Sequence, residues 1–155
     1  MAESKYSFQY CQKLVVFSED WRSVLLARRK DEADYNGVFS FVGGKMDITD
    51  PSILGGLKRE KNEEIGEQAG VTVYLDSTHN AFFRKSDGSS MILPHYLAHY
   101  VGGDIVLNES EYAEYRWVNL TELEAFEPKI PTIPEAVQWA LNLKRHVGSS
   151  EFIKL

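Results

Sequence analysis

The sequence predicts an α/β protein in which helices cover a mixed β-sheet. Apolar, partly β-branched runs and two helical stretches follow one another in the order strands, helix, strands, helix. That order suits a sandwich built from one sheet and flanking helices. The length of 155 residues is enough to bury a core, and we expect a single domain over residues 1–155.

The first half of the chain contains three predicted strands and one helix. The strands cover residues 13–18, 23–30 and 38–42, and the first two form a hairpin. A helix is predicted over 49–66, because Asp50 can cap it, Pro51 suits its first turn and Gly66 can end it. The pair Gly55-Gly56 weakens this helix, so either a close packing contact requires the glycines or the helix begins after them.

The second half repeats the pattern. Predicted strands cover residues 71–85, 91–101 and 114–118, with the turn SDGSS between the first two. A short helix at 120–126 would be capped by Thr121. A longer amphipathic helix covers 132–146 and directs Val137 and Leu141 inward.

Composition and charge exclude several classes of function. The net charge of −6 argues against broad nucleic-acid binding, which favours a basic surface. No apolar run is long enough for a membrane span, and the first residues lack the features of a secretory signal. The single cysteine, Cys11, fits a reducing compartment, so we expect a cytoplasmic protein without a membrane partner. A homodimer is compatible with the sequence.

Three glutamates share one face of the first predicted helix. Glu60, Glu63 and Glu64 are spaced so that their carboxylates lie in one patch. Like charges at this spacing destabilise a helix, and the helix dipole disfavours anions near its C-terminus. Helix stability therefore does not explain the arrangement, whereas a divalent cation such as Mg²⁺, which prefers oxygen ligands, would neutralise it. The alternative is a solvated charged face with an ordinary Arg59–Glu63 ion pair.

The segment before these glutamates favours the cation site. The stretch GGKMDITDPSILGGLKREKNEEIG (43–66) resembles the signature of the Nudix hydrolase family, G-x5-E-x7-R-E-U-x-E-E-x-G-U, where U is a bulky apolar residue. The matching residues are Gly44, Arg59, Glu60, Glu63, Glu64 and Gly66. Asp50 replaces a glutamate, the gap before Arg59 is one residue longer, and Lys61 stands at an apolar position. We expect Lys61 to lay its stem on the core with its ammonium in water.

The resemblance implies a fold, a reaction and a set of residues. The fold would be the Nudix α/β/α sandwich, and the reaction a Mg²⁺- or Mn²⁺-dependent hydrolysis of a nucleoside diphosphate linked to another moiety. The implied metal ligands are the Gly44 carbonyl and the carboxylates of Glu60, Glu63 and Glu64. Arg59 would orient a neighbouring carboxylate, and either Glu63 or Glu64 could activate water.

Substrate contacts are predicted from residues around this helix. Glu111 lies six residues before Trp117, a spacing that resembles that of dinucleoside-polyphosphate hydrolases, and it would be a further catalytic acid. Arg28 and Arg29 end a strand, but strand side chains alternate, so one of them faces the cleft, and we select Arg28. Lys45 would contact phosphate.

Aromatic residues are the candidates for a nucleobase contact. Tyr35, Phe39 and Phe83 could each stack on a base, and we select Phe39. His95 and His99 would suit zinc on a helix, but their run is strand-like, so we expect no zinc site.

Other functions of the same fold remain open from the residues. A catalytically silent nucleotide-sensing or protein-binding module is the main alternative, although such proteins usually lack the carboxylates that this chain keeps. An isomerase would need a catalytic cysteine in the cleft, and Cys11 is poorly placed for that role. A small-molecule nucleotide is therefore the expected binding partner.

Overall fold

The computed structural model describes residues 5–155 and shows a mixed sheet with two α-helices. Its strands are β1 (Gln9–Phe17), β2 (Ser23–Arg29), β3 (Phe39–Ser40), β4 (Val42–Lys45), β5 (Val71–Val73), β6 (His79–Arg84), β7 (Ser90–Tyr100), β8 (Tyr112–Asn119) and β9 (Ile153–Lys154). The helices are α1 (Ile53–Ile65) and α2 (Ile133–Lys144). Neither helix is long and apolar enough to cross a membrane, and this holds for all of the described chain. The predicted α/β class is confirmed.

Strand β1 is the centre of the sheet. It runs parallel to β7 and antiparallel to β2 and β4, and the predicted β1–β2 hairpin is present. In this register Lys13 lies opposite His95 on one side and Gly43 on the other. The pairing with β7 joins residues about eighty positions apart, so the sequence could not show which side chains of β1 and β7 are neighbours.

The side chains of β1 alternate between two apolar cores, as expected for a buried strand. Leu14 and Val16 belong to the core that includes Leu57 and Ile65 of α1. The intervening residues belong to a second core beneath α2; they are Val15 and Phe17, packed with Leu97, Ile133 and Val137. The sheet therefore lies between α1 and α2.

Two predicted elements differ from the structure, and the short strand β9 was not predicted. The predicted strand 71–85 is divided into β5 and β6, because the polar run Asp-Ser-Thr at 76–78 favours a turn. Residues 120–126 form turns rather than a helix, and the Thr121 hydroxyl donates to Asn119 instead of capping a helix. Strand β9 carries too few residues to give a pattern in the sequence.

Helix α1 begins and ends at identifiable signals. Ser52 is its N-cap, with the hydroxyl accepting a hydrogen bond from the Gly55 amide at 2.9 Å, so the expected cap at Asp50 is wrong. Gly66 is the C-cap, as predicted. A Cβ at Gly56 would lie 3.0 Å from the Gln12 amide oxygen. Close packing therefore accounts for a glycine at this position.

Lys61 is buried in α1 rather than extended into water, contrary to the expectation. Only 1% of the residue is exposed, and its ammonium donates to the carbonyls of Gly66 at 3.1 Å and Ala69 at 2.9 Å. These carbonyls lie just beyond the end of the helix, where backbone acceptors lack helical partners. Lys61 thus joins the helix end to the chain that leads into β5.

Replacing Lys61 by methionine tests this role. Methionine fills a similar volume but leaves buried carbonyls without a donor, so we expect a loss of about 2 kcal/mol in the free energy of unfolding. Urea denaturation measures the loss. Lys58, an exposed lysine of the same helix, is the matched control, and Lys58→Met should change stability by less than about 0.5 kcal/mol. Equal stabilities of the two variants would contradict the role.

Candidate active site

A cleft of about 630 Å³ brings most of the predicted site residues together. It lies beside α1, β1 and β4 and is reached by the loops before β3 and before β8. Six acidic residues line it: Glu60, Glu63 and Glu64 of α1, Glu111 before β8, and Glu32 and Asp34 of the loop before β3. Two nearby acids, the exposed Glu109 and Glu114 of β8, are not among the lining residues.

Arg59 connects the residues around the acidic side of the cleft. Its guanidinium holds Asp50 in a bidentate pair, with Nε–Oδ1 and Nη2–Oδ2 distances of 2.7 and 2.8 Å. The same group donates to Glu60 at 2.9 Å and to Glu63 at 3.2 Å, and also to the Lys45 carbonyl at 3.1 Å. The Arg59 hydrogen bonds lower the pKa of Asp50 to about 2. Asp50 is shorter than the glutamate of the family signature, and its carboxylate binds Arg59.

Glu60 points from α1 toward the backbone of β4. A Cβ at Gly44 would overlap the Glu60 carboxylate, so a larger residue there would displace Glu60 from its present position. The Glu60 residue is buried, and burial raises the pKa of its carboxyl above the usual value despite Arg59. The Gly44 backbone and an acidic oxygen are consequently neighbours.

Glu64 is the most deeply buried acid of the cleft. Its residue is 3% exposed, and its Oε2 atom has no hydrogen-bond partner. Burial raises the pKa of Glu64 to about 9, while the Tyr112 hydroxyl and the Lys13 ammonium nearby lower it and Glu111 raises it further. An unpartnered buried carboxylate oxygen is costly, so this position is suited to receive a cation.

The chemistry of these donors fits a hard divalent cation. All of them are oxygens, the ligands that such a cation prefers, and the Glu64 Oε2 atom has no partner of its own. No three His, Cys, Asp or Glu side chains of residues 5–155 already stand in a metal-holding arrangement. Arg59 holds Glu60 and Glu63 in their present positions. Binding would require these two side chains to exchange part of that contact for the cation.

Basic side chains stand on the same cleft. Lys45 lines it, as predicted, together with Lys85, and burial followed by the charge of Lys85 lowers the Lys45 pKa. The expectation for Arg28 is wrong: its side chain lies beside Glu114 at 3.7 Å and is nearly half exposed. Arg29 lines the cleft instead. Neighbouring strand residues face opposite sides, and the pairing of β2 with β8 is also irregular between these two arginines.

The expectation for Phe39 is also wrong. Phe39 is 4% exposed and packs edge-on against Phe126 with ring centroids 5.0 Å apart. Among the three aromatic candidates, Tyr35 and Phe83 line the cleft, and their ring centroids lie 5.7 Å apart. The turn before β7 meets the Tyr35 loop, where the Ser86 hydroxyl donates to Asp34.

Sequence reasoning missed Lys13 and Tyr112 as cleft residues and considered His95 only for zinc. All three are buried and line the cleft. A charged residue at the start of the apolar run KLVVFS is the signal that could have identified Lys13. His99 lies elsewhere and stacks on Trp21 with centroids 4.2 Å apart.

Comparisons with known proteins agree with this geometry. The family model described as the NUDIX domain matches residues 12–140. No curated protein matches the sequence. Among solved structures, the MutT protein from Methanosarcina mazei Go1 is 20% identical, with a TM-score of 0.71 over 92% of this chain and 99% of that one.

Two further similar structures are complexes. A binary complex of a C. elegans Ap4A hydrolase is 16% identical, with a TM-score of 0.71 over 90% of this chain and 99% of that one. The NUDIX domain of Shewanella oneidensis NrtR, complexed with ADP ribose, is 16% identical, with a TM-score of 0.66 over 92% of this chain and 90% of that one. At such identities these similarities show the fold, which is the expected α/β/α sandwich. The family match covers most of the chain, and the chain therefore belongs to the Nudix family of pyrophosphohydrolases.

Proposed function

We propose that the protein hydrolyses, with Mg²⁺ or Mn²⁺, the diphosphate linkage of a nucleoside diphosphate joined to another moiety. The observation that carries this proposal is the buried, unpartnered Glu64 oxygen in a cleft that Glu60, Glu63 and Glu111 also line. A divalent cation would neutralise these acids and bind a diphosphate at the same place. Lys45 and Lys85 supply positive charge on the same cleft, which favours an anionic substrate.

The division of work among the residues follows from their positions. Glu60, Glu63 and Glu64 would hold the cation together with the Gly44 carbonyl. When bound, such a cation polarises phosphoryl oxygens and acidifies a bound water. Arg59 does not line the cleft, so it acts on Glu60 and Glu63 and not on the substrate.

Proton transfer from the attacking water is assigned to one of the glutamates. Glu63 has a half-exposed side chain held by Arg59, whereas Glu64 is buried beside Tyr112 and Glu111. Both remain candidates for the base, and Glu111 is the additional acid that the loop before β8 supplies. The presence of Glu60, Glu63, Glu64 and Glu111 in the cleft favours catalysis over a silent module.

The charge of Glu64 gives a testable dependence of stability on pH. With a chelator present, the folded protein keeps the Glu64 proton up to a pKa of about 9, whereas the unfolded chain loses it near the ordinary glutamate pKa of 4.5. The unfolded state then binds fewer protons, so Glu64 makes stability fall as pH rises from 5 to 9. Glu64→Gln should remove that part of the decline and stabilise the metal-free protein by about 2 kcal/mol at pH 8.

Chemical denaturation across this pH range measures the effect. Glu63→Gln is the matched control, because its side chain is 54% exposed, and it should change stability by less than about 1 kcal/mol. A wild-type protein whose stability does not fall between pH 5 and 9 would contradict the buried state of Glu64. So would a Glu64→Gln variant that loses stability as steeply as wild type.

Turnover on a nucleotide panel tests the proposed reaction. Nucleoside triphosphates, nucleotide sugars, ADP-ribose, dinucleoside polyphosphates and capped RNA are incubated with Mg²⁺ or Mn²⁺, and release of nucleoside monophosphate is measured. We expect cation-dependent release from at least one class. Glu111→Gln should lower kcat at least about a hundredfold, because it removes a group that acts on the reacting atoms.

Glu109→Gln provides the matched control for that variant. Glu109 is an exposed glutamate of the same loop and does not line the cleft, so kcat should stay within about twofold of wild type. Absence of turnover on the whole panel with either cation would overturn the proposed function. Equal losses of kcat in the two variants would contradict a catalytic role for Glu111.

A further inference from the structure

Two buried polar side chains of the cleft are not used by the acidic cluster. Lys13 and His95 are 6% and 5% exposed, and both line the cleft. They lie directly opposite each other in the parallel pair of β1 and β7. Paired residues of neighbouring strands point to the same face of the sheet, so the two side chains are neighbours.

Lys13 has hydrogen-bonding capacity to spare. Its ammonium makes one long hydrogen bond, to the Gly43 carbonyl at 3.4 Å, and no ion pair within residues 5–155. An ammonium has three donors, and leaving them unpaired in a buried position is costly. An acceptor on a bound molecule would satisfy the remaining donors.

His95 presents the opposite capacity. Its Nδ1 lies 3.1 Å from the His79 carbonyl oxygen and 2.9 Å from that of Leu93. Carbonyl oxygens only accept, so Nδ1 carries the proton. Burial lowers the pKa of His95 to about 4, which leaves the ring neutral and Nε2 an acceptor. No hydrogen bond to this Nε2 is found within the described chain, and Phe41 supports the ring edge-on at 5.5 Å.

A donor beside an acceptor selects the chemistry of the ligand. A phosphate or carboxylate could accept from Lys13, but its lone pairs would be repelled by those of the His95 Nε2 atom. The hydrogen-bonding edge of a nucleobase offers an acceptor next to an N–H donor, and proteins read such edges between apolar or aromatic walls. Phe83, Met91 and Leu93 provide such walls in the cleft.

We propose that the Lys13 ammonium and the His95 Nε2 atom form a donor–acceptor pair that binds the polar edge of the substrate's nucleobase. The inference rests on the proposed function and assigns the base end of that same cleft. Lys13 is close enough to Glu64 and His95 to influence both electrostatically. The base would thus lie on the side of Lys13 away from the acidic cluster.

Binding of nucleoside monophosphates without any metal tests the pair. Calorimetry with a chelator compares AMP, GMP, UMP and CMP with ribose 5-phosphate, which has the sugar and phosphate but no base. At least one nucleotide should bind wild type about tenfold more tightly than ribose 5-phosphate does. Lys13→Met and His95→Phe should each reduce this preference to within about threefold and leave the affinity for ribose 5-phosphate within about twofold.

His99→Phe is the matched control. His99 lies on the same strand but stacks on Trp21 outside the cleft lining, so the preference should persist. A wild-type protein without preference for any nucleotide would overturn the proposal. An equal loss of nucleotide and ribose 5-phosphate affinity in Lys13→Met would do the same, because Lys13 would then bind phosphate.

A spectroscopic measurement on wild type covers the case of variants that do not fold. The imidazole ¹⁵N resonances should show His95 as the neutral Nδ1–H form, and the Nε2 signal should shift on addition of the preferred nucleotide but not of ribose 5-phosphate. An unchanged signal on nucleotide binding would overturn the proposal. Because neither experiment requires turnover, absence of hydrolysis would contradict the proposed function alone.

Discussion

The acidic cluster of Glu60, Glu63, Glu64 and Glu111 depends on the hydrogen bonds of the Arg59 guanidinium. One planar group joins Asp50 before α1, two glutamates on α1 and a carbonyl of β4. Without its positive charge, Glu60 and Glu63 would lose the ion pairs that offset the repulsion between their carboxylates. Asp50 in turn fixes the guanidinium by a bidentate pair, the strongest geometry available to arginine. Arg59 therefore positions the glutamates of the cluster without itself lining the cleft.

The sheet supplies the second half of the site. Strand β1 contributes alternate residues to the two cores, and its next residue toward the cleft is Lys13. Its parallel partner β7 places His95 at the same level. Lys13 thus lies between two sides of the cleft. One side is acidic and suits a cation, and the other is neutral and offers hydrogen bonds and aromatic walls. This arrangement of the cleft suits a substrate that is charged at one end and aromatic at the other.

Local patterns made the helix predictable, and distant contacts decided the residues that were missed. Glu60, Glu63 and Glu64 share a face because of their helical spacing alone, and this spacing can be read directly from the sequence. Arg28 and Phe39 were placed wrongly because their environments come from remote segments. Arg28 lies beside Glu114 of β8, and Phe126 packs on Phe39. Buried Lys61 was likewise determined by carbonyls beyond the helix end, which spacing does not reveal.

The central claim is that Glu60 and Glu64, organised by Arg59, hold a divalent cation beside Gly44. The most direct measurement is anomalous diffraction from crystals soaked in Mn²⁺, collected with and without a non-hydrolysable dinucleoside polyphosphate. The account predicts a manganese peak in contact with the carboxylates of Glu60 and Glu64, with Arg59 retained on Asp50. A peak bound elsewhere, or none in this cleft at saturating Mn²⁺, would contradict it.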